Sequence, residues 1–278
     1  AGTVGWSQAA VGRLVTEETW VDARVEEIAP GVLRLSWTPE LQASGLGAST
    51  TAVRQVIDSA FAGGAHRVET HVDPADDLAQ RIATFGGLMR EGILRGVAHG
   101  ADRIIYARIA TDAPVDEGDG FRSLLNSFLP RKRAISQLLV TSSDERILLC
   151  QLTYKKDFDL PGGVVEVSES PQLAVSREVE EELGLSIEAG HLVLTDWLPP
   201  WSGWDDAVCL VFHGGQHEPS IADMIVPQPR EIKSAGFYTL DEAHKLCADF
   251  TVRRIEAALR NLSDRPGPSY TESGRGLF

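Results

Sequence analysis

Residues 163–185 read GVVEVSESPQLAVSREVEEELGL, with glutamates at 166, 169, 178, 180, 181 and 182. Few features constrain a chain more than so much like charge on one short helical stretch. Ser170 suits an N-cap, Pro171 the first helical position and Gly184 the C-terminal stop. Between them Val175, Val179 and Leu183 recur every fourth residue and predict a buried stripe. Glu178, Glu181 and Glu182 stand at i, i+3 and i+4, which predicts carboxylates converging on one face. Like charges so spaced destabilise a bare helix by about 0.2–0.5 kcal/mol per pair. They also stand toward the C-terminal end, where the helix dipole disfavours anions. A solvated face is the ordinary reading of a charge run. Clustered carboxylates are also what a hard divalent cation takes, and a bound cation would relieve the repulsion.

The rest of the chain sets bounds on that idea. Its 278 residues suffice for one large domain or two ordinary ones, and 43% hydrophobic residues can fill their cores. A net charge of −14 argues against a nucleic-acid polymer as partner. Cys150, Cys209 and Cys247 have no metal-ligand spacing and predict buried free thiols in a reducing, cytoplasmic setting. No apolar run has the 18 or so residues of a membrane helix, so no membrane partner is expected. The chain opens AGTVGW, without Met and already strand-like, as a trimmed piece of a longer protein would.

Two globular patterns are expected. The first has strands at 32–37, 66–72 and 102–109, with helices over 49–62 and 76–86. The second has strands at 134–140 and 145–151 joined by a turn at SSD, strands near 191–197 and 207–213, and a C-terminal helix near 240–262. Between them, 113–130 reads as a linker with a short helix ending before Pro130, and 266–278 reads as a flexible tail.

The spacing around the glutamates is more specific than a charge run. Gly163, Glu169, Arg177-Glu178-Val179, Glu181-Glu182 and Gly184-Leu185 stand in a frame that resembles the Nudix box without a departure, and LPGG at 160–163 fits the family too. The resemblance extends over residues 131–262. It implies an α/β/α sandwich with a mixed sheet that hydrolyses a nucleoside diphosphate linked to another group, with Mg²⁺ or Mn²⁺. By resemblance, Glu178, Glu181, Glu182 and the carbonyl of Gly163 would be metal ligands, and Glu178 would also orient or deprotonate the attacking water. Arg177 and Glu169 would pair and brace the loop against the helix. Some members use an extra glutamate after the box; Glu231, in PQPREIKSAGF, is the candidate, with a plain surface charge as the alternative.

The substrate is less legible. DWLPPWSGWDD, 196–206, offers Trp197, Trp201 and Trp204, which could stack a nucleobase or serve as core or interface anchors. His191, His213 and His217 lack ligand spacing, and Asp205-Asp206 reads as a turn.

In the first half, QASGLG at 42–47 follows a strand and opens a helix, where backbone N–H groups can face an anion. With HRVETHVDP and DRIIYARI after it, the segment 30–112 resembles the C-terminal half of a GNAT acetyltransferase. That resemblance implies a parallel strand pair that splays open and an acetyl-CoA site at Gln42, Gly45 and Gly47. Asp76, Ala79 and Gly86-Gly87 depart from the family pattern, which usually has Asn, Ser and a Gly-Phe pair there.

The expectation is an α/β (α+β) protein: a GNAT-like unit over 1–112, incomplete or degenerate, a linker over 113–130, a Nudix hydrolase over 131–265 and a tail over 266–278. Its partner would be a nucleotide-type small molecule, with a homodimer left open. The rival reading is an acetyltransferase or CoA-binding protein whose Nudix domain senses a nucleotide. A third is a ligand-binding regulator without catalysis.

Overall fold

The structure is a computed structural model; it describes residues 12–16 and 19–276. The chain divides into two compact units, Ala1–Pro130 and Arg131–Phe278, each a mixed α/β layer structure.

In the first unit β1 (Gly12–Thr16), β2 (Thr19–Ala29) and β3 (Val32–Trp37) run antiparallel, followed by α1 (Pro39–Ala43) and α2 (Leu46–Ala62). Next come β4 (Arg67–Val72), α3 (Asp77–Phe85), β5 (Met89–Ala98), β6 (Ala101–Ile109) and α4 (Gly118–Phe128). The sheet order is β1-β2-β3-β4-β6-β5. Its core joins Leu33, Leu35 and Val68 of the sheet to Val53, Val56 and Ile57 of α2 and Ile82 of α3. Among the described residues of this unit only β3 and β4 are parallel, and they pair over three residues, Val32–Arg34 against Arg67–Glu69. Beyond that point β3 stays with β2 as far as Trp37 and β4 stays with β6 as far as Val72, so the parallel pair opens. Residues 113–130 are not a bare linker. Helix α4 buries Leu124, and Ser127 Oγ accepts a hydrogen bond from the backbone N of Arg90 in β5.

The second unit contains β7 (Arg133–Ser142), β8 (Ile147–Leu152), β9 (Phe158–Asp159), β10 (Gly162–Val164), α5 (Pro171–Leu183), β11 (Leu192–Leu198), β12 (Ala207–His217), β13 (Ile232–Tyr238), α6 (Leu240–Leu246), α7 (Asp249–Asn261) and β14 (Tyr270–Glu272). The main path is β13-β8-β7-β12-β11-β14, with β10 on β7 and β9 on β8. Alternation along β7 and β8 makes the sandwich. Leu138, Val140, Leu148 and Cys150 face Val175, Val179 and Leu183 of α5, whereas Leu139, Ile147 and Leu149 belong to the core of Val252, Ile255 and Ala258 of α7. Both sheet faces are therefore covered, as nearly continuous apolar strands require.

Three expectations need amendment. The helix expected over 240–262 is two, because Cys247 and Ala248 are extended and Cys247 bridges to Phe158 of β9. Ser170 stands at the N-cap of α5, but its side chain makes no capping bond. The tail is not free: β14 pairs in parallel with Thr195–Trp197 of β11. Thr271 Oγ1 and the backbone N of Gly274 both donate to Asp196 Oδ1, at 2.7 and 2.8 Å. A three-residue strand has too few positions to show a period, and its anchor lies 75 residues away in β11. All three cysteines are free and buried. Among the described residues no helix is long and apolar enough to cross a membrane.

Candidate active site

Helix α5 carries the glutamates because its opposite face is fixed. Val175, Val179 and Leu183 are fully buried against the sheet. Gly184 ends the helix in the left-handed region at φ 68°, a conformation that costs glycine little. That register turns Glu178 and Glu182 toward the loop Gly162–Gly163 at the start of β10. The N–H of Gly162 donates to Glu182 Oε2 at 3.2 Å. The Glu178 carboxylate packs against Gly163 so closely that a Cβ there would lie 2.5 Å from Glu178 Cδ. The loop after the 3-10 turn Pro219–Met224 is tied to the other end of α5. The backbone N of Val226 donates to the Leu183 carbonyl and that of Gln228 to the Glu182 carbonyl, each at 2.8 Å. This loop brings Glu231 near enough for its charge to act on both Glu178 and Glu182.

The electrostatics are those of buried anions crowded by like charge. Burial pushes Glu182 up to about 7, helped by the charges of Glu178, Glu231 and Asp159 and opposed by the Gly162 N–H. Burial also raises Glu178, against the pull of Arg177. Arg177 is the brace: Nε and Nη2 grip Glu169 at 2.8 and 3.1 Å, Nη2 lies 3.1 Å from Glu178 Oε1, and Nη1 is 3.0 Å from Glu181 Oε2. Its guanidinium holds Glu169 below the ordinary carboxylate range.

Glu178 and Glu181 thus share the Arg177 guanidinium, while Glu182 turns to the N–H of Gly162. Glu181 lies on the outer surface with a 59% exposed side chain, drawn there by Arg177. Among the described residues no three acidic, His or Cys side chains are gathered to hold a metal. The donor chemistry still fits a hard divalent cation. Glu182 is buried with one neutral N–H as hydrogen-bond donor and no cation, and Glu178 and Glu231 crowd it with like charge.

Beside this loop lies a cavity of about 400 Å³, within the range of small-molecule sites. Gly162 and Gly163 form part of its wall; Leu198, Pro200, Trp201, Trp204 and Phe250 form another. Trp201 and Trp204 close a short hairpin by bridging to one another, and Arg133 lies over the Trp204 ring at 4.6 Å. Trp197 is absent from the lining, since its Nε1 donates to Asp206 at 3.1 Å. Several lining residues were not foreseen: Arg133, Asp159, Gln137, Phe250 and Arg254. One signal existed. Arg254 stands within the buried stripe Thr251, Val252, Ile255 and Ala258 of α7, and a charge set into such a stripe must find partners indoors.

In the first unit the turn before α2 forms as expected. Gly45 has φ 98°, and a Cβ added at Gly45 or Gly47 would meet nothing within 4 Å. Gln42 is occupied. Its Oε1 accepts from Trp37 Nε1 at 3.1 Å, and its Nε2 donates to Asp76 Oδ2 at 2.9 Å. Asp76 in turn caps α3 through the N–H of Ala79. The three side chains thus tie the end of β3 to the start of α3, past the point where β3 and β4 part.

Residues 130–259 match the NUDIX domain, so the second unit carries a NUDIX domain. It is 31% identical over 142 residues to the NAD-capped RNA hydrolase NudC of Stutzerimonas stutzeri (strain A1501), spanning 50% of this chain and 49% of that protein. The chain spans about half or less of the length of the curated relatives it matches. Among solved structures it is similar to a MutT protein from Methanosarcina mazei Go1, with 19% identity and a TM-score of 0.42 over 50% of this chain and 100% of that one. It is also similar to the ribosomal-protein-S5-alanine acetyltransferase from Vibrio fischeri, with 18% identity and a TM-score of 0.31 over 35% of this chain and 59% of that one.

Proposed function

We propose that the second unit is a divalent-metal-dependent pyrophosphohydrolase that cleaves a nucleoside diphosphate linked to another group. One observation carries the reading: Glu178, which shares Arg177 with Glu169 and Glu181, and Glu182, which has no cation beside it, are held against Gly162–Gly163 at the wall of a cavity. The bond attacked is a phosphoric anhydride, whose anionic oxygens repel an incoming water. Glu178, Glu182 and the Gly163 carbonyl would hold Mg²⁺ or Mn²⁺, with Glu181 joining once released from Arg177. When bound, the metal supplies charge neutralisation on the diphosphate and lowers the pKa of its water. The chain supplies the rest. Arg177 and Glu169 keep the loop fixed against α5, so that the carboxylates meet the substrate in one geometry. Glu178 or Glu231 takes the proton of the attacking water; burial raises Glu178 toward the range a general base needs.

Two curated relatives carry names for RNA ends, an NAD-capped RNA hydrolase and an RNA pyrophosphohydrolase. Such ends hold the same anhydride linkage. With a net charge of −14, a free nucleotide derivative is the better substrate for this chain than a polyanionic strand. The buried free thiols accord with a reducing, cytoplasmic setting. A panel of dinucleotides and nucleoside diphosphate sugars, with Mg²⁺ or Mn²⁺, tests the reading. Release of a nucleoside monophosphate supports it, and no turnover of any member refutes it.

For the first unit we propose a GNAT-like fold without transferase activity. The Trp37–Gln42–Asp76 tie supports this, because it occupies the residue expected to flank the pantetheine path.

A further inference from the structure

The cavity beside the carboxylate loop has a charged group among apolar walls. Arg254 is 2% exposed and lines the cavity. Its Nε donates to Asp196 Oδ2 at 2.8 Å and its Nη1 to Gln137 Oε1 at 2.9 Å, while Nη2 has no partner. Asp196 is itself fixed by Thr271 and Gly274 of the C-terminal segment. The guanidinium is therefore held in place, and the buried Nη2 donors have no partner among the described residues. A buried donor left so is costly, and a ligand acceptor would satisfy it. Next to it, Asp159 Oδ1 lies 3.8 Å from Arg254 Nη1 and also lines the cavity.

The walls narrow the ligand. Trp201 and Trp204 leave 66% and 59% of their surface to water on a short hairpin, large apolar faces for a soluble surface. The Trp201 ring lies 6.2 Å from that of Phe250. The flat faces of Trp201, Trp204 and Phe250 suit the stacking of a planar ring. A fixed guanidinium rejects a cationic ring and asks for an acceptor. We propose that Arg254 is the specificity-determining residue of this site, donating to the acceptor edge of a neutral heteroaromatic base that lies among Trp201, Trp204 and Phe250. Thr271 and Asp196 are positioning residues that hold it. The pyrophosphohydrolase reading supplies only the identity of the rest of the ligand.

The test uses neither metal nor diphosphate. The metal-free protein is titrated with adenosine, guanosine, uridine and cytidine, read by tryptophan fluorescence and calorimetry. Saturable binding is expected, with affinities spread roughly tenfold or more, as one satisfied buried donor allows. In Arg254→Met the spread should collapse to within about threefold while some stacking affinity survives. Arg254→Lys keeps a charge against Asp196 but loses the planar donor set; it should flatten the spread too, and it is read if the Met variant fails to fold. Thr271→Val should shrink the spread in part. Overturning results are no nucleoside binding, or an unchanged ranking and spread in the folded Arg254 variant. Nucleoside binding without any hydrolysis would sink the enzymatic reading alone; hydrolysis without nucleoside binding would sink this one alone.

Discussion

Glu178 and Gly163 are in contact closer than any other residue type at 163 would allow. A methyl group there would meet all three carboxylate atoms of Glu178 within 2.7 Å. Gly163→Ala should therefore displace the carboxylate. The clash is with the end of a flexible side chain, so the fold should survive with a melting temperature within a few degrees of the parent. Turnover should fall roughly 10²-fold, the scale expected for misplacing a catalytic group by about 1 Å. Steady-state kinetics beside a thermal melt decide it.

Glu182 makes the metal-free protein sensitive to pH. Burial raises it from 4.5 to about 7 in the folded state. The folded state then holds a proton that the unfolded chain has released across that window. This contribution is fully present below about pH 4.5 and is lost as pH rises through about 7. Melts in chelator should show falling stability from about pH 5 to about pH 8. Glu182→Gln should flatten that slope and remove the stabilisation given by added Mn²⁺. An unchanged slope in the variant would separate the effect from Glu182.

Arg177 grips Glu169 with two nitrogens and touches Glu178 and Glu181. The side chain is 31% exposed, so Arg177→Ala should cost little stability, about 1 kcal/mol at most. Activity should fall far more, because the brace between loop and helix is gone. Arg177→Lys should not restore it, since a single ammonium cannot make the forked contact. Activity within twofold of the parent in either variant would show that the brace does not matter.

The sequence made the second unit legible where one short segment carries its own geometry. The spacing of Val175, Val179 and Leu183 sets the buried face of α5, and the glutamates follow from that register. The orientation of Glu181 was not legible, because Arg177 competes for it and spacing alone cannot rank the two outcomes. The cavity was half legible. The tryptophans announced aromatic walls, but only a folded chain brings Arg254, Asp196 and Thr271 together from three separate elements. In the first unit the Gly-rich turn and the opening of β3 from β4 follow the expected order of elements. The Trp37–Gln42–Asp76 tie depends on side-chain hydrogen bonds that no pattern shows.

That tie yields its own prediction. Acetyl-CoA should bind the chain weakly or not at all by calorimetry, and no amine acceptor should be acetylated. Asp76→Ala should remove the cap of α3 and destabilise the unit by about 1 kcal/mol. Asp76→Asn, which keeps the cap, should not. Tight acetyl-CoA binding would reverse the assignment of this half.

The central claim is that the carboxylates at the Gly162–Gly163 loop run a metal-dependent hydrolysis of a phosphoric anhydride. Its most direct test compares the parent with Glu178→Gln on a nucleoside diphosphate sugar in saturating Mn²⁺, following products by ion-exchange chromatography. The account predicts a nucleoside monophosphate and a sugar phosphate from the parent, none in chelator, and a loss of at least about 10²-fold in the variant. Equal turnover by parent and variant, or cleavage that persists in chelator, would contradict it.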